Sequence, residues 1–312
     1  MSTVRAAEAQ AFETLFPLRP FEIEHDMANH PLFTLPMLAR LVQEMPRDFV
    51  EYNSGKVAVN QDPNAVAEVA LDPAEVVRQI ETCGAWMVLK RVETHPSYRT
   101  LVEMALQSVA RARGYSSLSE AGFYDIRGFL FVSSPHSTTP FHLDGEDNFF
   151  VHIHGDKTFA IYDNEDRSIA SEEVIEQALT RHRNIPYQSS FDARSVAHQL
   201  APGQGVFVPY QWPHWVRTGD KYAISMAVTW KTKDVQRRND LFVVNAKLRS
   251  LGFPQRAPGV APVWDSVKYT VFRTAKLLAT PLQKSEAMRR LFRYLMLGKH
   301  GNYFYRSREK GA

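Results

Sequence analysis

Cysteine is nearly absent, with Cys83 the single one in 312 residues. A disulfide within the chain is therefore excluded, as is a thiolate-rich metal site, and the composition suits a reducing compartment. Any metal held by this chain is held by nitrogen and oxygen. There is also no uninterrupted apolar run of the ~20 residues that a membrane-spanning helix needs. The first residues, with Arg5 and Glu8 among small side chains, lack the apolar stretch of a secretory signal. These absences together point to the cytoplasm. No internal repeat or low-complexity tract occurs. What remains is ordinary globular composition, 44% hydrophobic and 23% charged, with enough length for one enlarged core carrying helical additions.

The net charge of +3 conceals a division along the chain. Residues 231–312 hold 18 Lys and Arg against 5 Asp and Glu, a balance of +13, which leaves −10 for residues 1–230. A basic end of this kind serves nucleic acid, an anionic membrane surface or an acidic protein. Docking on the chain's own acidic body, or on a second subunit, uses the same charge.

Residues 1–80 contain one amphipathic helix, Leu35 to Met45, in otherwise extended or loop-like sequence punctuated by Pro31, Pro46, Pro63 and Pro73. This segment reads as a wrapping arm. From residue 81 to 232 the pattern is strand-like, with runs at 86–92, 128–132, 149–154, 158–162, 205–208 and 222–230. Helices at 98–113 and 171–183 interrupt it, the second with Ser171 as N-cap ahead of Glu172 and Glu173. Residues 233–312 return to helical periodicity, in segments near 236–250, 263–279 and 282–297. The expected class is mainly β with helical additions.

The stretch Thr139-Pro-Phe-His-Leu-Asp-Gly-Glu-Asp-Asn-Phe-Phe-Val-His-Ile-His-Gly-Asp-Lys157 carries the chemistry. His142 and Asp144 are two apart, so on extended backbone both side chains leave one face and can meet one ion. A third ligand comes from Pro202-Gly-Gln-Gly-Val-Phe-Val-Pro-Tyr-Gln-Trp-Pro-His214, because a later strand of a rolled antiparallel sheet can lie beside the first. Two histidines and one carboxylate leave three positions of an octahedron open, the facial triad of non-haem iron oxygenases. Strand parity places Phe150 and His152 on the inward face with Asn148. Trp212 and Trp215 flank His214, where they pack or close a pocket mouth.

With these residues, the stretch from about 125 to 232 resembles the JmjC/cupin-like 2-oxoglutarate oxygenases, in particular the asparaginyl hydroxylase that inhibits hypoxia-inducible factor. His-x-Asp alone is a weak signal. The resemblance gains specificity from Thr139-Pro before it, Asn148-Phe-Phe after it, Gly155-x-Lys157 beyond, and Gly-x-Val-Phe-Val-Pro leading to His214. It implies a double-stranded β-helix, or jelly roll, binding Fe(II) at His142, Asp144 and His214, with 2-oxoglutarate as cosubstrate and O2 as oxidant. It further implies that Lys157 and Thr139 receive the distal carboxylate and that Asn148 contacts the cosubstrate or a neighbouring water. A dianion in a pocket does need a cation at its far end. The implied reaction converts 2-oxoglutarate to succinate and CO2 while hydroxylating a C–H bond, with demethylation as the lesser outcome. The substrate expected is a protein or peptide side chain, with a small molecule close behind.

The chain departs from that pattern at Val228, near which the resembling enzyme has an asparagine; Ser225 and Arg127 are the candidate substitutes, and Tyr124 the candidate for a missing carboxylate-binding tyrosine. The competing reading is a non-catalytic cupin that binds a ligand to regulate a partner, followed by a zinc or manganese cupin isomerase. At the C-terminal end, Met288, Leu291, Phe292, Leu295 and Leu297 form an apolar surface beside Lys284, Arg289, Arg290 and Arg293. Pairing of C-terminal helices in a homodimer is favoured there over contact with nucleic acid or membrane.

Overall fold

Among the described residues, twelve strands form two antiparallel sheets. In chain order they are β1 (Val4–Ala6), β2 (Phe21–His25), β3 (Val50–Ser54), β4 (Ala85–Lys90), β5 (Tyr124–Ser133), β6 (Thr138–His142), β7 (Asp147–His154), β8 (Lys157–Tyr162), β9 (Ser195–Leu200), β10 (Gln204–Val208), β11 (His214–Thr218) and β12 (Ala223–Lys231). The larger sheet has the order β1-β2-β10-β7-β12-β5-β4-β3 and the smaller one β6-β11-β8-β9. This computed structural model describes residues 3–279 except 9, 63 and 64, together with 288, 290, 291 and 294.

The six runs read as strands fall in β4, β5, β7, β8, β10 and β12, with ends moved by at most four residues, whereas β6, β9 and β11 were not among them. β4 stops at Lys90 because Arg91 turns left-handed (φ 59°) into a short 3-10 turn, Val92–Thr94. The wrapping arm is more structured than its sequence suggests. β1 and β2 extend one edge of the large sheet and β3 the other. These strands, of three and five residues, are too short for alternation to set them apart from loop.

Helices cover both outer faces. α1 (Ala11–Thr14), α2 (Leu35–Glu44), α3 (Pro73–Arg78) and α4 (Pro96–Ala112) pack on the large sheet. α4 buries Tyr98, Leu101, Val102, Ala105, Leu106 and Val109, a stripe at helical spacing that faces one side only. On the small sheet's outer face, α5 (Glu172–Thr180) and α6 (Lys233–Ser250) cover Phe141, Ala160 and Tyr162. The Ser171 hydroxyl accepts the Val174 N–H at 3.3 Å, so the N-cap lies where the sequence puts it. α7 (Pro262–Ala279) follows a loop that includes Pro254 and Pro258.

Of the segment near 282–297, and of the apolar and basic surface drawn on it, only Met288, Arg290, Leu291 and Tyr294 lie among the described residues. No helix among the described residues is long and apolar enough to cross a membrane.

Candidate metal centre

The two sheets face each other across an inner cluster that includes Phe150, Phe159, Ile161, Val206, Val208 and Val216. At one end of this interior, register brings the metal-directed residues together. His142, the last residue of β6, pairs directly with His214, the first of β11. Their ring centroids are 4.1 Å apart, and the Asp144 Oδ2 lies 3.9 Å from His214 Nε2. One ligand atom from each of His142, Asp144 and His214 falls within 4.8 Å of the others.

Each histidine is oriented by its own backbone. His142 Nδ1 lies 2.7 Å from Pro140 O, and His214 Nδ1 lies 2.9 Å from Trp212 O. A carbonyl only accepts, so Nδ1 carries the proton in both rings and Nε2 presents its lone pair to the centre. Carbonyl partners of this kind fix the tautomer of metal-binding histidines. Burial, followed by the neighbouring His142, holds His214 well below the usual imidazole range, so it stays neutral. Phe159 stacks on His214 at 4.9 Å. The donor set is thus two imidazoles and a carboxylate on one side of a cavity, which fits a first-row divalent metal with open positions.

Further along the same interior, β8 delivers Lys157. The hairpin β7–β8 turns at Gly155 (φ 79°), where any Cβ would sit 2.3 Å from Tyr222 O, so only glycine fits the crossing. Lys157 is buried, and burial alone pushes its ammonium down to about 7. Among the described residues it makes no hydrogen bond or ion pair; its Nζ lies 5.5 Å from the Phe150 ring, and its charge reaches His152. A buried, unpaired lysine is costly and suits an anionic ligand.

The Thr139 hydroxyl accepts the Trp86 indole N–H at 3.1 Å, which leaves its own proton to donate. Asn148 is buried with Oδ1 unpartnered, and Thr229, directly opposite on β12, has a buried hydroxyl in the same condition.

Residues 98–236 match the family of cupin-like domains. This segment is a cupin-like domain. Among solved structures, an X-ray structure of E. coli YcfD is 16% identical, with 90% of this chain and 70% of that chain covered and a TM-score of 0.51. A structure of YcfD described as a ribosomal oxygenase from Escherichia coli is 14% identical, covering 89% and 68%, with a TM-score of 0.49. YcfD in complex with cobalt and 2-oxoglutarate is 16% identical, covering 89% and 69%, with a TM-score of 0.47. At such identity the first of these speaks for the fold alone. No curated protein matches the chain.

Within the cupin-like domain, several expected contacts are redirected. His152 does not offer a free nitrogen to the pocket. Its Nε2 donates to Gly155 O at 2.8 Å and its Nδ1 pairs with Ser225 Oγ at 3.0 Å, and desolvation followed by Lys157 pushes it down to about 3. His152 therefore pins the hairpin and occupies Ser225. Arg127 is engaged by Asp125 at 2.9 Å, and Tyr124 is exposed near Asp240 and Tyr269.

Val228 faces the outer core, not the cavity; the inward residue is Thr229, which the sequence reading missed. The signal was there, since parity with Ser225 and Ala227 puts Thr229 on the inner face. Trp212 is buried under Arg19, whose guanidinium lies 5.7 Å from its ring, and its carbonyl orients His214. Trp215 points outward and donates its indole N–H to Tyr162 Oη at 2.9 Å.

Proposed function

We propose that this chain is an Fe(II)- and 2-oxoglutarate-dependent oxygenase that hydroxylates a C–H bond, releasing succinate and CO2. The observation that carries it is the combination in one cavity of three metal-directed donors with a buried lysine that has no anionic partner. His142, Asp144 and His214 would hold the iron, while Lys157 and the Thr139 hydroxyl would take the distal carboxylate of the cosubstrate. Asn148 and Thr229 offer unpartnered polar atoms along the path between them. Bound iron supplies the redox chemistry that couples decarboxylation to oxygen insertion.

The protein's own contribution is orientation and water exclusion. The aromatic wall of Phe150 and Phe159 keeps the interior dry, which strengthens the lysine–carboxylate attraction. Purified protein loaded with Fe(II) under air should release succinate from 2-oxoglutarate, and cell extract should stimulate that release. Absence of iron binding, cosubstrate binding and turnover would instead favour a non-catalytic cupin.

For the substrate we favour a protein or peptide side chain. Trp86, Phe129 and Phe131 share the inward face of β4 and β5 and are only partly covered. The arm supplies an opposing wall, with Val59 O accepting the Phe141 N–H at 2.8 Å. A cytoplasmic location is supported by the single cysteine.

We also favour a homodimer in which a second copy covers α7. That helix is inverted: Asp265 and Lys268 are its buried residues, paired at 3.0 Å, while Val263, Trp264, Val267, Val271 and Leu278 face outward exposed. The opposite charges of body and C-terminal end add attraction between copies. Sedimentation of wild-type protein at micromolar concentration should give twice the chain mass, and Val267→Glu with Val271→Glu should halve it. A monomeric wild type would defeat the dimer.

A further inference from the structure

The two loops that carry Asp144 and His214 meet at one side chain outside the barrel. Asn239 on α6 donates from Nδ2 to Gly145 O at 2.6 Å, and its Oδ1 accepts from Gln211 Nε2 at 3.2 Å. Gly145 follows Asp144, and Gln211 precedes His214 by three residues. The loops are also joined directly, because the Gln211 N–H donates to Asp144 O at 2.7 Å. Both amide side chains are buried, where an unmade hydrogen bond costs about 1–3 kcal/mol.

Two features indicate that this junction sets geometry. Gln211 is left-handed (φ 64°), a conformation that a non-glycine residue holds only where its surroundings over-determine it. At Gly145 a Cβ would crowd three side-chain ends, lying 2.9 Å from Arg183 Nη1, 3.0 Å from Leu179 Cδ2 and 3.2 Å from Asn239 Nδ2. The chain thus holds a strained turn and a side-chain-free loop against a single amide.

We propose that Asn239 is a positioning residue of the metal centre, fixing the separation of Asp144 from His214 and thereby the metal affinity. The inference rests on the metal-centre reading. Its consequence is that α6, which lies outside the inter-sheet cavity, is thermodynamically linked to the metal: metal binding tightens the Asn239 junction, and loosening the junction weakens metal binding by the same factor.

The test is a Co(II) titration followed by visible absorbance, with thermal melts in parallel, on wild type, Asn239→Ala, Gln211→Ala and the double variant. Each single change should weaken Co(II) binding about 10- to 100-fold, the range for partners that orient metal ligands, and should alter the cobalt spectrum. The double variant should lose little more than either single one, since both remove the same junction. Gln211→Ala keeps the backbone bond to Asp144 and serves if Asn239→Ala does not fold.

Affinities within about twofold of wild type and unchanged spectra, with only a lowered melting temperature, would make the amide mere packing and overturn the proposal. Asp144→Ala separates the two levels of failure. If wild type binds no Co(II), or Asp144→Ala binds it as tightly, the metal-centre reading itself falls.

Discussion

Asp144→Ala should leave the fold standing and abolish both tight metal binding and succinate release. Among the described residues the Asp144 carboxylate makes no hydrogen bond; its Oδ2 lies 3.9 Å from His214 Nε2. Truncation therefore breaks no structural contact, while the backbone bond from Gln211 to Asp144 O persists. A change in stability within about ±0.5 kcal/mol is expected. The metal centre loses one donor of three and its single negative charge. Orienting partners alone are worth about 10- to 100-fold in affinity, so direct loss of a ligand should exceed 100-fold. Equilibrium dialysis against Fe(II) under argon and a succinate assay check this. Retained one-to-one metal with wild-type turnover would sink the assignment.

Lys157→Met should give a more stable protein that no longer binds 2-oxoglutarate well. The ordinary value for lysine is 10.5, and burial lowers it to about 7 in the fold. Below pH 7 the folded state carries an unpaired buried charge and the full penalty applies. Between 7 and 10.5 the unfolded chain holds a proton that the folded chain has released, so wild-type stability rises with pH across that window.

A shift of this size corresponds to an upper bound of about 5 kcal/mol, reached below pH 7. Allowing for local relaxation, Lys157→Met should gain about 2–4 kcal/mol at pH 6, with the gain fading toward pH 10. Cosubstrate affinity moves oppositely. Loss of a charge-assisted bond of about 1.5–3 kcal/mol weakens 2-oxoglutarate binding about 10- to 100-fold. In wild type, affinity should be greatest below pH 7 and fall above it as the ammonium deprotonates. Melting curves and calorimetric titrations at pH 6, 7 and 9 provide both readouts; an unaltered 2-oxoglutarate affinity in Lys157→Met would remove the lysine from the site.

The sequence by itself determined the elements with the strongest periodicity and the donors that lie close together in it. α2, α4 and the strands β5, β7, β8 and β12 bury enough apolar surface at regular spacing to be legible without a neighbour. His-x-Asp is legible because two residues on extended backbone share a face, and Lys157 because the Gly155 turn is one hairpin away. Short strands such as β1, β2 and β3 were not, since their stability comes from pairing at sheet edges. Tertiary structure alone decided the rest. It set His142 opposite His214 through the β6–β11 register, held His152 Nδ1 on Ser225, and brought Asn239 to the two ligand loops. Each depends on groups far apart in the chain, and a hydrogen bond between distant residues leaves no periodic trace in sequence, because either partner alone reads as an ordinary polar side chain.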